Sequence, residues 1–270
     1  IAIERADARV WVAYALSENG RAEDAERELR RALYECTLLE EQVGDGTDRL
    51  LSERVGKLRV RIQSLLGGVL TAAGRPMEAV EALTEAVSYW SDKVESMPED
   101  VAARRSRAPM LTSLANAHVE AGDAAAGEAR AIEALADIDW RSEQAAGGAT
   151  LQRHRAWALL ALTSARLSRG DVDGAGKPLR EARQIAMVLH GTDSGRASHT
   201  RVLGEVLVAE GDRLRRIASA AAHDMEARER AAAACRAVIE HERAIGTAVR
   251  TCAATLGGLA RAEEWLRSLE

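Results

Sequence analysis

Gly20-Arg21-Ala22-Glu23-Asp24-Ala25-Glu26-Arg27-Glu28-Leu29-Arg30-Arg31-Ala32-Leu33 decides how this chain folds. Glycine ends one helix, and small or apolar residues then fall at Ala25, Leu29 and Ala32, at spacings of four and three. That spacing puts them on one face of a helix. The phrase returns as Gly74-Arg75-Pro76-Met77-Glu78-Ala79-Val80-Glu81-Ala82-Leu83-Thr84-Glu85-Ala86. It returns again after Gly122, with Gly127, Ala131 and Ala134, and after Gly170, with Ala175, Leu179 and Ala182. A glycine that ends one helix and an Ala-rich ridge on the next describe a repeated helix pair.

The first helix of each pair is legible too. Val10, Ala13, Tyr14 and Leu16 form an apolar face on a helix from about Ile3 to Asn19. A second helix spans Ala22 to Val43, and Thr47 or Asp48 is placed to cap the third. Leu66-Gly67-Gly68-Val69-Leu70 sits on the first helix of the second unit, where Gly67 leaves room for a close helix approach. Pro76 stands at a helix start, where its missing N–H costs little. Trp140, Gly147 and Gly148 mark a loop or a broken helix between the third and fourth units. In the fifth unit Arg216 occupies a ridge position, and a better ridge comes later at Ala227, Ala231 and Ala234. An insertion of about three helical turns is expected there, with the first helix running on past Gly211. A last amphipathic helix, carrying Val249, Cys252, Leu256, Leu259 and Leu266, is expected to cap the stack. The units fall at roughly 1–46, 47–98, 99–140, 141–191 and 192–246, with the cap at 247–270.

Composition narrows the function classes. Aromatics are only 3% of the chain and Phe is absent, so the core is built from Ala, Leu, Val and Ile in thin helical layers. Net charge is −5 and the charges read as finely mixed, which supplies no basic stripe for direct nucleic-acid binding. No apolar run is long enough to span a membrane, and no signal-peptide pattern opens the chain. Cys36, Cys235 and Cys252 fit neither a disulfide framework nor a zinc pattern and read as buried thiols in a reducing, cytoplasmic compartment. His118, His154, His190, His199, His223 and His241 form no metal motif, although His190 and His199 flank one loop. Asp173-Gly174-Ala175-Gly176-Lys177-Pro178 superficially matches a phosphate loop, but Pro178 stands where Ser or Thr should hold the metal. Gly44-Asp45-Gly46-Thr47-Asp48 lacks the closing Glu of a calcium loop. No constellation for nucleophilic catalysis stands out. The expectation is a protein with no enzyme activity, no cofactor and no metal.

Leu followed by a small residue in the first helix, Gly at the turn, then Ala, a large apolar residue and Ala in the second resembles the tetratricopeptide repeat (TPR). The turn glycines lie 54, 48 and 48 residues apart, and Gly211 follows after 41. These long units are similar to the kinesin-light-chain and bacterial-regulator variety. The family's Phe or Tyr in the second helix is replaced by Leu or Ala, and its closing Pro is clear only at Pro98. The resemblance implies an all-α solenoid, a right-handed superhelix of about five helix pairs plus a capping helix. First helices would line a concave groove that holds a protein or peptide.

Carrying the family's groove positions back from each turn glycine selects Asp7, Val10, Tyr14 and Ser17 in the first unit. The second contributes Arg61, Ser64, Gly68 and Thr71, and the third Thr112, Asn116 and Val119. Trp157, Leu160, Ser164 and Leu167 follow in the fourth, then Ser198, Arg201, Glu205 and Val208 in the fifth. The partner-binding candidates are Tyr14, Arg61, Ser64, Thr112, Asn116, Trp157, Ser164, Arg201 and Glu205. Only Asn116 matches the family's carboxylate clamp, so that activity is not expected. Trp157 is the best interface tryptophan, while Trp11 and Trp90 read as core. By family analogy the chain, which opens on Ile, is expected to be the scaffold or sensor part of a larger bacterial signalling regulator. The alternative is a small-ligand or peptide-pheromone sensor whose solenoid curvature changes on binding. Self-association through apolar end helices is a further expectation.

Overall fold

The structure is a computed structural model, described over residues 2–43, 49–140, 148–193, 196–220, 224–244 and 263–267. Among these residues it contains α1 (Ala2–Glu18), α2 (Ala22–Val43), α3 (Arg49–Ala72), α4 (Pro76–Ser96) and α5 (Val101–Glu120). α6 (Ala124–Asp139), α7 (Ala149–Ser168), α8 (Gly176–Thr192), α9 (Ala197–Ala220) and α10 (Met225–Ala244) follow, then a helical turn at 263–267. There is no strand among the described residues. No helix there is long and apolar enough to cross a membrane. The expected caps at Thr47 and Asp48, and most of the expected capping helix, lie outside the described residues.

Each helix packs on the next, and the odd-numbered helices also meet one another from unit to unit. The even-numbered helices do not approach each other comparably. A stack whose one layer is closer-packed than the other bends toward the closer layer, so α1, α3, α5, α7 and α9 form the inner face. The arrangement is an α-solenoid of helix pairs.

Four turns make this geometry. Gly20, Gly74, Gly122 and Gly170 have φ of +73°, +73°, +86° and +79°, where a side chain would be strained. At each turn the residue after glycine donates its N–H back across the helix end, as from Arg21 to the Leu16 carbonyl at 2.9 Å and from Arg75 to Leu70 at 2.9 Å. This closes the helix in a Schellman motif. Asp123 then caps α6 by accepting from the Ala126 N–H at 3.0 Å.

The ridges bury as the spacing predicts. Ala25, Leu29 and Ala32 in α2, Ala79, Leu83 and Ala86 in α4, and Gly127, Ala131 and Ala134 in α6 are all buried. Gly67 faces Leu83, and a Cβ at 67 would lie 2.4 Å from Leu83 Cγ. Gly68, one residue along, has nothing within 4 Å of where a Cβ would stand. Gly68→Ala is therefore expected to stabilise the chain by about 1 kcal/mol through helix propensity alone. A urea melt that moves the other way would show that α3 is constrained at 68.

In the fifth unit α9 runs straight through Gly211 to Ala220. Trp265 and Leu266 from the 263–267 turn lean on Val208, Val238 and Ile239. The α10 ridge is Ala227, Ala231 and Cys235, with Ala234 only half-buried. That corrects the last member by one residue, the two steps being four and four. Cys36 and Cys235 are both buried thiols; Cys252 lies outside the described residues. Burial pushes the Cys36 thiol from near 9 up to about 11, and pushes that of Cys235 up as well. In a Cys252→Ser background, neither is expected to react with a disulfide reagent at pH 8 until the chain unfolds. Prompt titration of one thiol in the folded protein would contradict the packing of that helix.

Candidate functional site

Side-chain contacts link neighbouring inner helices. Arg61 of α3 reaches the Asp7 carboxylate of α1, and its guanidinium stands 5.6 Å from the Trp11 ring centroid. Arg201 of α9 stands 5.8 Å over the ring of Trp157 of α7. Arg153 of α7 donates to Ser198 Oγ of α9 at 3.3 Å. These contacts join α1 to α3 and α7 to α9 along the inner layer.

The candidate residues are not equally open. Tyr14, Asn116, Ser164 and Arg201 are exposed, while Ser64, Trp157 and Glu205 are half-buried. Thr112 is buried, with its hydroxyl donating to the Ala108 carbonyl at 3.0 Å, a place that withholds it from a partner. Val10, Leu160, Leu167 and Val208 are buried as well. Their register turns them toward the neighbouring helices rather than into the groove. Trp11 is 63% exposed, so the core reading for it is corrected. It lies on α1, where the Arg61 guanidinium stands over its ring. Trp90 is half-buried and meets Tyr89 edge to face at 5.2 Å. His199 is buried with neither ring nitrogen hydrogen-bonded. No cluster of His, Cys, Asp or Glu that would hold a metal occurs among the described residues.

A second set of side chains fixes the inner face in place. Arg5, Arg59, Arg107, Arg155 and Arg196 each stand fifteen residues before Gly20, Gly74, Gly122, Gly170 and Gly211. Arg59 reaches back to Glu40 of α2 at 2.9 Å. Arg107 spans two outer helices, from Ser91 of α4 at 3.3 Å to Asp137 of α6 at 2.7 Å. Arg155 likewise pairs with Asp139 at the end of α6 and with Glu181 of α8 at 2.6 Å. Arg5 pairs with Glu35 of α2 at 3.0 Å. The column was open to sequence reading, since the same residue type recurs at one offset. Its offset of fifteen falls outside the groove register, which lies three, six, ten and thirteen residues before each glycine.

These pairs reflect a wider separation of charge that the linear sequence hides. α3, α5 and α7 together hold only two acidic residues, Glu53 and Glu120, and α7 holds none. α4 and α6 together hold only two basic residues, Lys93 and Arg130. From α2 to α7 the inner helices are thus basic and the outer helices acidic, which corrects the reading of finely mixed charge for that stretch; α8, with Lys177, Arg180 and Arg183 against Glu181, does not continue it. Burial, with the charge of Arg153 adding, lowers the pKa of His154 on α7, so arginines alone carry that helix's charge at neutral pH.

No family model and no curated protein matches this sequence. Among solved structures, the chain is similar to a crystal structure of a Podosopora anserina putative kinesin light chain with nearly identical TPR-like repeats. The TM-score is 0.51 over 88% of this chain and 96% of that one, at 19% identity. The fold is a TPR-like solenoid.

Proposed function

We propose that this TPR-like chain is a non-catalytic scaffold that holds a protein or extended peptide on its inner helical face. It would serve as the recognition part of a larger bacterial regulator in the cytoplasm. The observation that carries this reading is the inner layer itself. Its exposed side chains include Tyr14, Asn116, Ser164 and Arg201, with the half-buried Trp157 beneath Arg201, and Tyr14, Asn116 and Ser164 project from the layer without a core role. Such a mix of aromatic, amide and guanidinium groups suits a partner interface.

The test is retention of a partner from a lysate of the source organism. The bait is the parent chain beside a variant carrying Tyr14→Ala, Asn116→Ala, Trp157→Ala and Arg201→Ala, both shown folded by circular dichroism. A protein kept by the parent and lost by the variant is the expected result. A protein kept equally by both would move the site to the outer helices.

A further inference from the structure

Resting on that inner-face reading, we propose that the occupant is an acidic, extended protein segment with carboxylates about three residues apart. Counting seventeen residues back from Gly74, Gly122 and Gly170 gives Lys57, Arg105 and Arg153, one cation on each of α3, α5 and α7 at intervals of 48. Each stands four residues before Arg61, Pro109 or Trp157, hence one turn away on the same inner face. Arg201 continues the row on α9, against Trp157.

The cations differ in how far they are already neutralised. Lys57 pairs with Glu53 at 2.8 Å and Arg61 with Asp7. Arg105, Arg153 and Arg201 have no carboxylate within ion-pair distance among the described residues. Most arginines around them do: Arg104, Arg107, Arg155 and Arg166 all have acidic partners. Three guanidiniums on three consecutive inner helices are thus left for an acidic partner, in a chain whose net charge is −5.

The spacing sets the partner's pattern. Packed helices lie roughly 8–10 Å apart, and an extended chain advances about 3.3 Å per residue. One step between inner helices therefore spans about three residues of a peptide laid across them. A protein segment fits better than a nucleic acid. The acidic outer helices α2, α4 and α6 repel a long polyanion, and only three free inner-face cations would displace few counterions. The indole of Trp157 adds an apolar contact between the charges.

The probe is a twelve-residue Gly/Ser peptide with Glu at every third position, bearing a neutral dye and read by fluorescence anisotropy. Its counterpart has Gln in place of each Glu. Parent protein is compared with Arg105→Gln/Arg153→Gln/Arg201→Gln and with Lys177→Gln/Arg180→Gln/Arg236→Gln. The second triple removes the same charge from exposed sites on α8 and α10. At low salt the Glu peptide is expected to bind the parent roughly 10-fold more tightly than the Gln peptide, the sum of three modest charge contacts. The inner triple should abolish that preference, the outer triple should keep it, and added salt should erode it. Comparing the two peptides on the parent needs no variant to fold. Equal binding of both peptides, equal loss in both triples, or tighter binding of a twelve-residue oligouridylate would each overturn the proposal. If the lysate partner is lost in the groove variant yet the two peptides bind alike, the inner-face reading stands and only the acidic pattern fails.

Discussion

Leu83→Ala is expected to cost about 2–5 kcal/mol, and the size of that cost should depend on residue 67. Leu83 is fully buried in the α4 ridge and rests directly on the bare backbone of Gly67 in α3. Truncating it leaves a void at the point where the two helices approach most closely. Gly67→Ala in the parent has the opposite fault. Its methyl would lie 2.4 Å from Leu83 Cγ and 2.8 Å from both terminal carbons, so the leucine must leave its rotamer or α4 must shift. Overpacking of this kind costs about 1–3 kcal/mol, against about 1 kcal/mol returned by helix propensity. In the Leu83→Ala background the clash is gone, and the same methyl fills part of the void. Gly67→Ala should then stabilise. The double-mutant cycle is therefore expected to show a coupling of about 1–3 kcal/mol, read from urea midpoints at constant slope. Additive effects would mean that α3 and α4 move apart freely, and that the tight crossing does not set the geometry of the second unit.

The parts of the fold that were legible are those written in local sequence. The ridge of Ala25, Leu29 and Ala32 lies within one helix, and each turn glycine acts on its own neighbours. Gly211 shows the limit. It has the sequence context of a turn, yet α9 continues through it, because Trp265, far along the chain, supplies a packing partner there. Trp11 was misread for a related reason. A bulky side chain in a chain without Phe is expected to be buried, but Trp11 stands exposed on α1 with the Arg61 guanidinium of α3 over its ring. Val10 and Leu160 fell in the groove register and are nevertheless buried. A register fixes a direction around a helix but not how closely the neighbouring helix approaches at that height. The layered charge was invisible for a different reason. From α2 to α7 it alternates from one helix to the next, so any average along the chain cancels it, and only the stacking of odd on odd helices brings the like charges together.

Asp137→Ala is expected to be among the most damaging single substitutions, at about 3–5 kcal/mol, although it removes no apolar surface. Asp137 is 2% exposed at the end of α6. Its carboxylate accepts from Arg107 Nε at 2.7 Å, from a second Arg107 nitrogen at 2.9 Å and from Arg104 at 3.2 Å. The two arginines are themselves committed. Arg104 stacks 4.2 Å over the Trp140 ring and donates to the Pro98 carbonyl at 3.2 Å, while Arg107 also reaches Ser91 of α4. Hydrogen bonding to Asp137 raises the pKa of Arg107, so its charge is held firmly. Without the carboxylate, a guanidinium whose side chain is only 11% exposed keeps its full charge, with the partly exposed Glu133 as the nearest acid. The loss comes from stranding that charge more than from the attraction itself. Replacing both partners, as Arg107→Met with Asp137→Leu, should therefore recover most of the stability, as apolar replacements of buried ion pairs often do. Because α4, α5 and α6 meet at this point, Asp137→Ala should also lower the urea slope by uncoupling the units on either side. A cost below about 1 kcal/mol would show that water reaches Arg107 and that the arginine column is a surface feature. Recovery in the double variant would instead establish that the column sets the position of the inner helices without adding net stability.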